Sequence, residues 1–202
     1  MNPHFKIIDI QQIYSILDKV EYGTLALSVD DIPYAVPLNF VRVDDTIYFH
    51  GALSNKKMKI LSKNPKVSFS VVQNYSLIAS FFSSRDGLAC PATQFFKSVS
   101  IDGEVEMVEG REEKATMLEA LMKKLQPEGR YKPFSDAEYD TAIKATAVVK
   151  IIPSKIQCKF KFGQHVTKER FDMILVHLAE RNKEIDQETY KMMKQLRVDN
   201  AI

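Results

Sequence analysis

The most regular alternation of apolar and polar positions lies between residues 33 and 59, in the segment PYAVPLNFVRVDDTIYFHGALSNKKMK. Every second residue in its first part is apolar and large, and these residues are Tyr34, Val36, Leu38 and Phe40. A period of two is typical of a strand with two different faces. The turn at Val43–Thr46, and the β-branched and aromatic run after it, predict a second strand that returns alongside the first. Ser54 and Asn55 then open a short basic helix.

The junction between this second strand and the basic helix is a candidate binding site. Small residues at Gly51 and Ala52 would let a ligand approach the backbone closely. Ser54 is the predicted N-cap of the helix. The lysines that follow it are Lys56, Lys57 and Lys59. Because a helix N-terminus presents unpaired N–H groups and a partial positive charge, this segment could hold a phosphate. The alternative is a solvated basic helix that binds nothing, since lysines are mostly surface residues.

The remaining patterns predict an α+β fold. Helical periods cover residues 10–20, 112–125, 171–181 and 188–197, with a short helix within 136–144. Strand patterns cover residues 24–29, 67–72, 76–82, 95–108, 146–152 and 156–162, and Asp30–Asp31 is the predicted turn after the first of these strands. We expect interruptions at Gln73–Asn74 and Pro153–Ser154, and a bulge or close approach at Gly103. Six or seven mainly antiparallel strands with inserted helices point to a barrel or a sandwich.

Composition narrows the class of protein. A chain of 202 residues, of which 45% are hydrophobic and 27% charged, has the content of a soluble globular protein with a full domain. Its net charge of +2 is too small to indicate binding to nucleic acid or to an anionic membrane surface. No apolar run reaches the ~20 residues of a membrane span, and the segment MNPHFKIIDI lacks a secretory pattern. We therefore expect a cytoplasmic protein.

Several kinds of chemistry are absent from the sequence. Cys90 and Cys158 are too few for a disulfide framework. No spacing of His, Cys, Asp and Glu predicts a metal site. The chain has neither a Gly-rich phosphate loop nor a Ser-His-Asp order typical of hydrolases.

Four segments together resemble the pyridoxamine 5′-phosphate oxidase-like split-barrel flavoproteins. Within that family they are similar to the nitroimidazole-resistance branch. These segments are PYAVPLNF, IYFHGA with NKK after it, the NP-x-V-x-F step from Asn64 to Phe69, and Cys90 ahead of FFKSVSIDGEV. The resemblance covers roughly residues 22–156. It implies an FMN-binding split β-barrel domain over residues 1–165, and leaves residues 166–202 as a C-terminal helical tail.

The resemblance also implies a homodimer that binds FMN in two equivalent clefts at its interface. The residues that would lie along the isoalloxazine ring system are Val36, Pro37, Leu38 and Asn39. Those that would line the flavin or its ribityl chain are His50, Gly51 and Ala52. Those that would hold the phosphate are Ser54, Asn55, Lys56 and Lys57. Phe95, Lys97 and Ser98 would reach the cofactor from the partner chain.

The sequence departs from the family pattern in a way that limits its activity. It has no Arg-x-Val-Leu-Leu-Lys segment and no Trp, so true pyridoxamine-phosphate oxidase activity is not expected. We expect instead an oxidoreductase that passes electrons from a nicotinamide donor to a small acceptor such as a nitroaromatic or a quinone. His50 is the candidate for proton delivery, since an unperturbed histidine titrates near ~6.5. The alternative for His50 is a hydrogen-bonded structural role.

Two other classes of protein stay open at this point. One is a binding protein that holds flavin or haem without turnover. Haem would need an axial ligand, for which His50, Cys90 and His177 are the candidates. The other is a structural or interaction protein with an empty cleft, in which Lys56 and Lys57 have no phosphate to hold.

Overall fold

The computed structural model describes residues 2–199 of the chain. Within them lie eight strands, which are β1 (Lys6–Ile7), β2 (Tyr22–Val29), β3 (Ile32–Asn39), β4 (Val41–Val43), β5 (Thr46–Ala52), β6 (Lys66–Ile78), β7 (Thr93–Met107) and β8 (Thr146–Lys161). The α-helices are α1 (Ile10–Lys19), α2 (Lys56–Leu61), α3 (Arg111–Leu125), α4 (Asp140–Ala145), α5 (Lys168–Arg181) and α6 (Glu184–Asp199). Short 3₁₀ helices occur at Pro3–Phe5, Ser80–Phe82 and Ala137–Tyr139. None of these described helices has the length and apolar character needed to cross a membrane.

The described chain divides into two compact units, and strands β6, β7 and β8 contribute residues to both. We call residues 9–71 and 99–157 the barrel unit. We call residues 2–8, 72–98 and 158–199 the tail unit. The boundary that we predict after residue 165 separates a barrel domain from a C-terminal helical tail. The division into two compact units does not test this boundary, which stays a prediction.

An antiparallel sheet forms the barrel unit. The strand order is β3-β2-β6-β7-β8-β5-β4. Strands β2 and β3 pair from Tyr22↔Asn39 to Val29↔Ile32, and β5 pairs with β8 from Ile47↔Ile151 to Ala52↔Thr146. Strand β3 also contacts β5, as it does when a sheet curls towards closure. The predicted α+β split barrel with inserted helices is confirmed, and the described residues contain eight strands rather than six or seven.

Two tight aspartate turns set the register of the barrel hairpins. Asp30 and Asp31, between β2 and β3, have φ angles of 50° and 59°. Asp44, between β4 and β5, has a φ of 50°. A two-residue hairpin turn needs a positive φ at one or both of its central positions, and Asp adopts that conformation more readily than most residues. Both predicted turns are therefore confirmed.

The first predicted strand is interrupted at Phe40, which was not expected. The Phe40 side chain is fully buried, and its ring centroid lies 4.9 Å from that of Phe69. Its carbonyl oxygen accepts a hydrogen bond from Lys124 Nζ at 3.0 Å, so this residue bonds to a helix side chain and not to a neighbouring strand. The segment that the alternation predicts to be one strand is therefore two strands, β3 and β4.

Two long strands are continuous where the sequence predicts interruptions. Strand β6 continues through Gln73–Asn74, and β8 continues through Pro153. Pro153 is tolerated because the pairing of β8 with β5 already ends at Ile151, so the missing N–H removes no bond on that side. The predicted close approach at Gly103 is confirmed, since a Cβ built there would lie 2.3 Å from the carbonyl oxygen of Ile152.

The first helix begins as its sequence predicts. The Asp9 carboxylate caps α1 by accepting a hydrogen bond from the Gln11 N–H at 2.9 Å. The apolar stripe of α1 buries Ile13, Ile16 and Leu17. The barrel unit thus gains an apolar helix face directly before β2.

A buried ion pair organises the tail unit. In this unit β1 pairs with β8, and α5 ends at Asn182, whose φ of 47° is left-handed. The Asp186 carboxylate is fully buried and accepts two hydrogen bonds from Arg181, at 2.6 and 2.8 Å. The Ser76 hydroxyl donates a third, at 2.5 Å. Helices α5 and α6 are both longer than predicted. Helix α5 begins at Lys168, after its N-cap Thr167, and α6 begins at Glu184, directly after the connection that Asn182 and this pair form.

Candidate functional site

The candidate phosphate site lies where β5 ends and α2 begins. Helix α2 is only six residues long, from Lys56 to Leu61. Its N-cap is Asn55 and not Ser54 as predicted, since the Asn55 Oδ1 accepts a hydrogen bond from the Met58 N–H at 3.0 Å. Ser54 is exposed one residue before the cap. Because one N–H of this short helix is already bonded to Asn55, the lysine side chains matter more here than the helix end.

Glycine at position 51 makes room for one of these lysines. A Cβ built on Gly51 would lie 2.7 Å from the Lys57 Nζ and 2.9 Å from the Asn55 Nδ2. The Lys57 side chain therefore folds across the strand end at a point where only glycine leaves space. Burial lowers the pKa of Lys57. In the part of the chain that the structure describes, no carboxylate lies within ion-pair distance of it. A bound anion would offset the cost of this half-buried charge.

The neighbouring lysine is positioned differently. Lys56 is exposed, and its Nζ lies 4.3 Å from the centroid of the Tyr34 ring on β3. Such a cation–π contact contributes about 0.5–1 kcal/mol at an exposed site. Lys57 is therefore already at the Gly51 backbone, whereas Lys56 would have to leave the Tyr34 ring to join it.

His50 borders a small apolar cavity of about 200 Å³. The other residues that line it come from α3, α4 and the segments next to them, and they are Leu118, Leu121, Met122, Phe134, Tyr139, Ala142, Ile143 and Thr146. Burial lowers the pKa of His50, and the positive charge of Lys57 lowers it further. Successive residues of a strand point to opposite faces, so His50 and Gly51 lie on different faces of β5. The imidazole is nevertheless within electrostatic range of Lys57. The imidazole is thus neutral near pH 7 and able to accept a proton beside this cavity.

The predicted isoalloxazine contacts lie along β3. Val36 and Leu38 are half-buried on one face of the strand, whereas Pro37 and Asn39 are exposed on the other. The Asn39 Nδ2 donates a hydrogen bond to the carbonyl oxygen of Glu21 at 3.1 Å. Among the described strands β3 ends the hydrogen-bonded order, so backbone groups on its outer edge have no strand partner there. The role of these four residues in binding a flavin stays a prediction.

The three residues expected to act from a partner chain belong to the tail unit. The Phe95 ring is 1% exposed and packs on Phe162, with ring centroids 5.8 Å apart. The Lys97 Nζ lies 4.6 Å from the centroid of the Phe160 ring, and Ser98 is half-buried. Their predicted action on a cofactor across a dimer stays a prediction.

The candidate haem ligands lie in unlike surroundings. Cys90 is exposed, whereas His177 stacks on Phe82 at 4.9 Å and its Nδ1 lies 3.1 Å from the Glu180 Oε2. The other cysteine, Cys158, is 1% exposed, and burial raises the pKa of its thiol to about 11. Cys158 is therefore an inert core residue.

Two features of the site could not be predicted from the sequence. One is the Tyr34 ring beneath Lys56, since no spacing rule joins a strand residue to a helix residue 22 positions later. The other is the wall that α3 and α4 build beside His50. The helical period of α3 predicts an apolar face, but it does not predict which strand that face covers.

The fold and the cationic strand end together define a split-barrel protein with a candidate anion site. The family model described as pyridoxamine 5′-phosphate oxidase matches residues 9–160, about three quarters of the chain. The chain therefore belongs to the pyridoxamine 5′-phosphate oxidase family, as its four segments predict. A search among curated proteins finds no match.

Solved structures with the same fold include three informative neighbours. A candidate 5-nitroimidazole antibiotic resistance protein from Bacteroides thetaiotaomicron is 24% identical, with a TM-score of 0.62 over 76% of this chain and 85% of that one. The flavocytochrome Anf3 from Azotobacter vinelandii is 23% identical, with a TM-score of 0.65 over 77% and 69%. An FAD and haem binding protein from Mycobacterium smegmatis is 20% identical, with a TM-score of 0.63 over 77% and 73%. At these identities the similarity establishes the fold alone.

Proposed function

We propose that this chain is an FMN-binding oxidoreductase that passes electrons from a nicotinamide donor to a small acceptor such as a nitroaromatic or a quinone. The observation that carries the proposal is the arrangement at Gly51. A half-buried lysine without a carboxylate partner lies across a strand end at a glycine, where a Cβ would displace its ammonium. Such an arrangement suits the phosphate group of a cofactor better than it suits structural support.

The residues at this strand end fit a phosphate ester. Lys57 would neutralise its charge, and the Lys56 ammonium and the Ser54 and Asn55 side chains would supply further hydrogen-bond donors. Gly51 and Ala52 would let the ribityl chain lie against the backbone. When bound, FMN supplies redox chemistry that no side chain of this protein can supply.

The flat ring system would lie along β3. The outer edge of that strand presents backbone N–H and C=O groups, which can meet the polar edge of an isoalloxazine. Val36 and Leu38 would contact it through side chains on one face, and Pro37 and Asn39 through the other.

The protein's own contribution to catalysis would be proton handling and exclusion of water. His50 stands at the rim of the apolar cavity with a lowered pKa, so its neutral imidazole can accept a proton or relay one. The apolar residues of α3 and α4 would keep water from one side of that ring.

A homodimer is part of the proposal. Two apolar side chains on the β2–β3 hairpin are strongly exposed in the single chain, with Tyr22 at 62% and Ile32 at 64%. Because Tyr22 and Ile32 lie at opposite ends of the hairpin, an interface with a second copy would extend along its whole length. Phe95, Lys97 and Ser98 would complete each cofactor cleft from that copy.

A second candidate is a protein that binds flavin or haem without turnover. Two neighbours in fold are named as a flavocytochrome and as an FAD and haem binding protein. In this chain His50 is an exposed imidazole next to an apolar cavity, and such an imidazole could serve as an axial haem ligand.

The first experiment is an absorption spectrum of protein purified without added cofactor, followed by a titration with FMN. We expect a flavin spectrum that bleaches on addition of NADH or NADPH. A flavin spectrum that neither nucleotide bleaches, or a haem Soret band, would favour the second candidate. No chromophore and no change on adding FMN would contradict both.

Two single lysine variants, K57Q and K59Q, test the phosphate site directly. K57Q should weaken FMN binding at least tenfold, since a charge-assisted contact is lost. K59Q is the matched control, because Lys59 is an exposed lysine of the same helix. Equal affinities of K57Q and the unmodified chain would contradict the assignment.

A further inference from the structure

The tail unit contains a cavity of about 350 Å³ whose basic side chains have no role in the function proposed above. Its rim carries three basic side chains, Lys161, His165 and Arg170. Its apolar wall includes Pro91 and Val166, both of which are half-buried. A volume of this size lies at the lower end of the ~300–1,000 Å³ range of small-molecule pockets.

The basic side chains are oriented but incompletely bonded. The Arg170 guanidinium donates from Nε to the Ser83 carbonyl oxygen at 2.9 Å and from Nη2 to the Ser83 hydroxyl at 3.4 Å. The Lys161 ammonium donates to the Thr93 hydroxyl. A guanidinium has five N–H donors and an ammonium three, so donors on both groups lack a protein acceptor among residues 2–197.

No carboxylate compensates these charges at the cavity. The lining residues include neither Asp nor Glu. Burial lowers the pKa of Lys161, with the charge of Lys159 as a smaller cause. Burial likewise lowers the pKa of His165, followed by the charges of Lys161, His4 and Arg170. Asp86 is within electrostatic range of Arg170, but its carboxylate is fully exposed and hydrogen-bonded to Ser84.

The start of helix α5 adds to the positive field. Thr167, the N-cap of this 14-residue helix, lines the cavity together with Arg170. The positive end of the helix dipole therefore lies at the same rim as the two cations.

We propose that this cavity binds a small organic anion, in which a single carboxylate or phosphate group is attached to an apolar body about the size of one ring. The anionic group would contact Arg170 and Lys161, and the body would lie against Pro91 and Val166. This inference concerns a site other than the proposed FMN site, and it stands whether or not the chain binds flavin.

Cys90 provides a reporter for the cavity. Its thiol is exposed and lines the cavity, whereas Cys158 is buried, with a pKa raised to about 11. Iodoacetamide is neutral and alkylates thiolates. The sulfur forms a bond to the methylene carbon, iodide leaves, and the thiol proton passes to solvent. Mass spectrometry of the intact protein then follows one modification, at Cys90.

We expect benzoate and phenyl phosphate to slow alkylation of Cys90 at least fivefold, in a saturable way. Benzamide, which has the ring without the charge, and inorganic phosphate, which has the charge without the ring, should protect much less. The head group of the tighter probe identifies the anion that the cavity prefers. Equal protection by benzamide or by inorganic phosphate, or no protection by any probe, would overturn the proposal.

Variants of the two cations complete the test. R170Q and K161Q should each raise the half-protecting concentration of benzoate at least tenfold. K168Q is the matched control, because Lys168 is exposed at the start of the same helix and pairs with Asp172. Titration calorimetry with benzoate provides a measurement that does not depend on Cys90 reactivity. Unchanged benzoate affinity in both R170Q and K161Q, or an equal loss in K168Q, would rule the site out.

Discussion

Asp186 and Lys57 are both charged groups withdrawn from solvent, but they differ in their partners. Asp186 is fully buried and has a guanidinium, a hydroxyl and the Lys183 N–H bonded to its oxygens. Lys57 is half-buried, and within the described residues no carboxylate compensates its charge. A buried charge whose hydrogen bonds are satisfied within the chain supports the fold. A charge whose partner is missing from the chain indicates a ligand.

The largest expected effect comes from breaking the compensated pair. D186N removes the carboxylate charge and leaves Arg181 beside a neutral amide, which should lower the free energy of unfolding by about 3–5 kcal/mol. D172N, which breaks an exposed pair with Lys168, should change it by less than about 0.5 kcal/mol. Urea unfolding followed by circular dichroism measures both.

The pH dependence of unfolding provides an independent check on Asp186. Its pKa is lowered from 3.8 to about 2, so the folded state holds the carboxylate ionised at pH values where the unfolded chain protonates it. The resulting stability, about 2 kcal/mol, is complete above pH 4 and is lost as the pH falls towards 2. In D186N this loss of stability at low pH should be absent. If D186N loses the same stability over this pH range, other carboxylates are responsible for the loss.

Substitutions at the Lys57 site should change the affinity for FMN and leave the stability of the fold nearly unchanged. G51A places a Cβ against the Lys57 Nζ and should weaken FMN binding at least tenfold, because the ammonium must move. The melting temperature should change little, since the displaced atoms are the flexible end of a side chain and the φ of Gly51 is not positive. Fluorescence titration with FMN measures the affinity.

G110A is the control for this glycine. A Cβ at Gly110 meets nothing nearer than the Glu113 Cβ at 4.0 Å, so FMN affinity should not change. If G51A melts much lower than G110A while binding FMN normally, Gly51 has a structural role and the comparison with Asp186 fails.

The smallest effect is expected at His50. Because its pKa is lowered, the unfolded chain takes up this proton before the folded chain does, so stability falls as the pH drops below about 6.5. H50Q should flatten the stability profile between pH 7 and pH 5. Burial lowers the pKa of His165 as well, so the H50Q/H165Q double variant should be flatter still. An H50Q profile as steep as that of the unmodified chain would refute the neutral imidazole.

Local patterns in the sequence predict most of the elements and part of the candidate site. The Asp9 cap, the aspartate turns and the close approach at Gly103 were all predictable, since each depends on residues near one another in the chain or on the special geometry of glycine. The family could also be recognised from four short segments, and it is confirmed over residues 9–160. The N-cap at Asn55 was missed by one residue, because Ser and Asn are both good caps and the sequence does not rank them.

The periods, the caps and the turns follow from the sequence, because side-chain alternation and backbone conformation are local properties. Three features depend on packing between distant segments: Phe40 breaks a strand, Pro153 does not, and Lys57 folds over Gly51 while Lys56 lies on the Tyr34 ring. The basic cavity of the tail unit belongs to the same group, since its cations come from separate elements. Burial and charge compensation depend on which distant segments meet, and that is settled by packing in three dimensions.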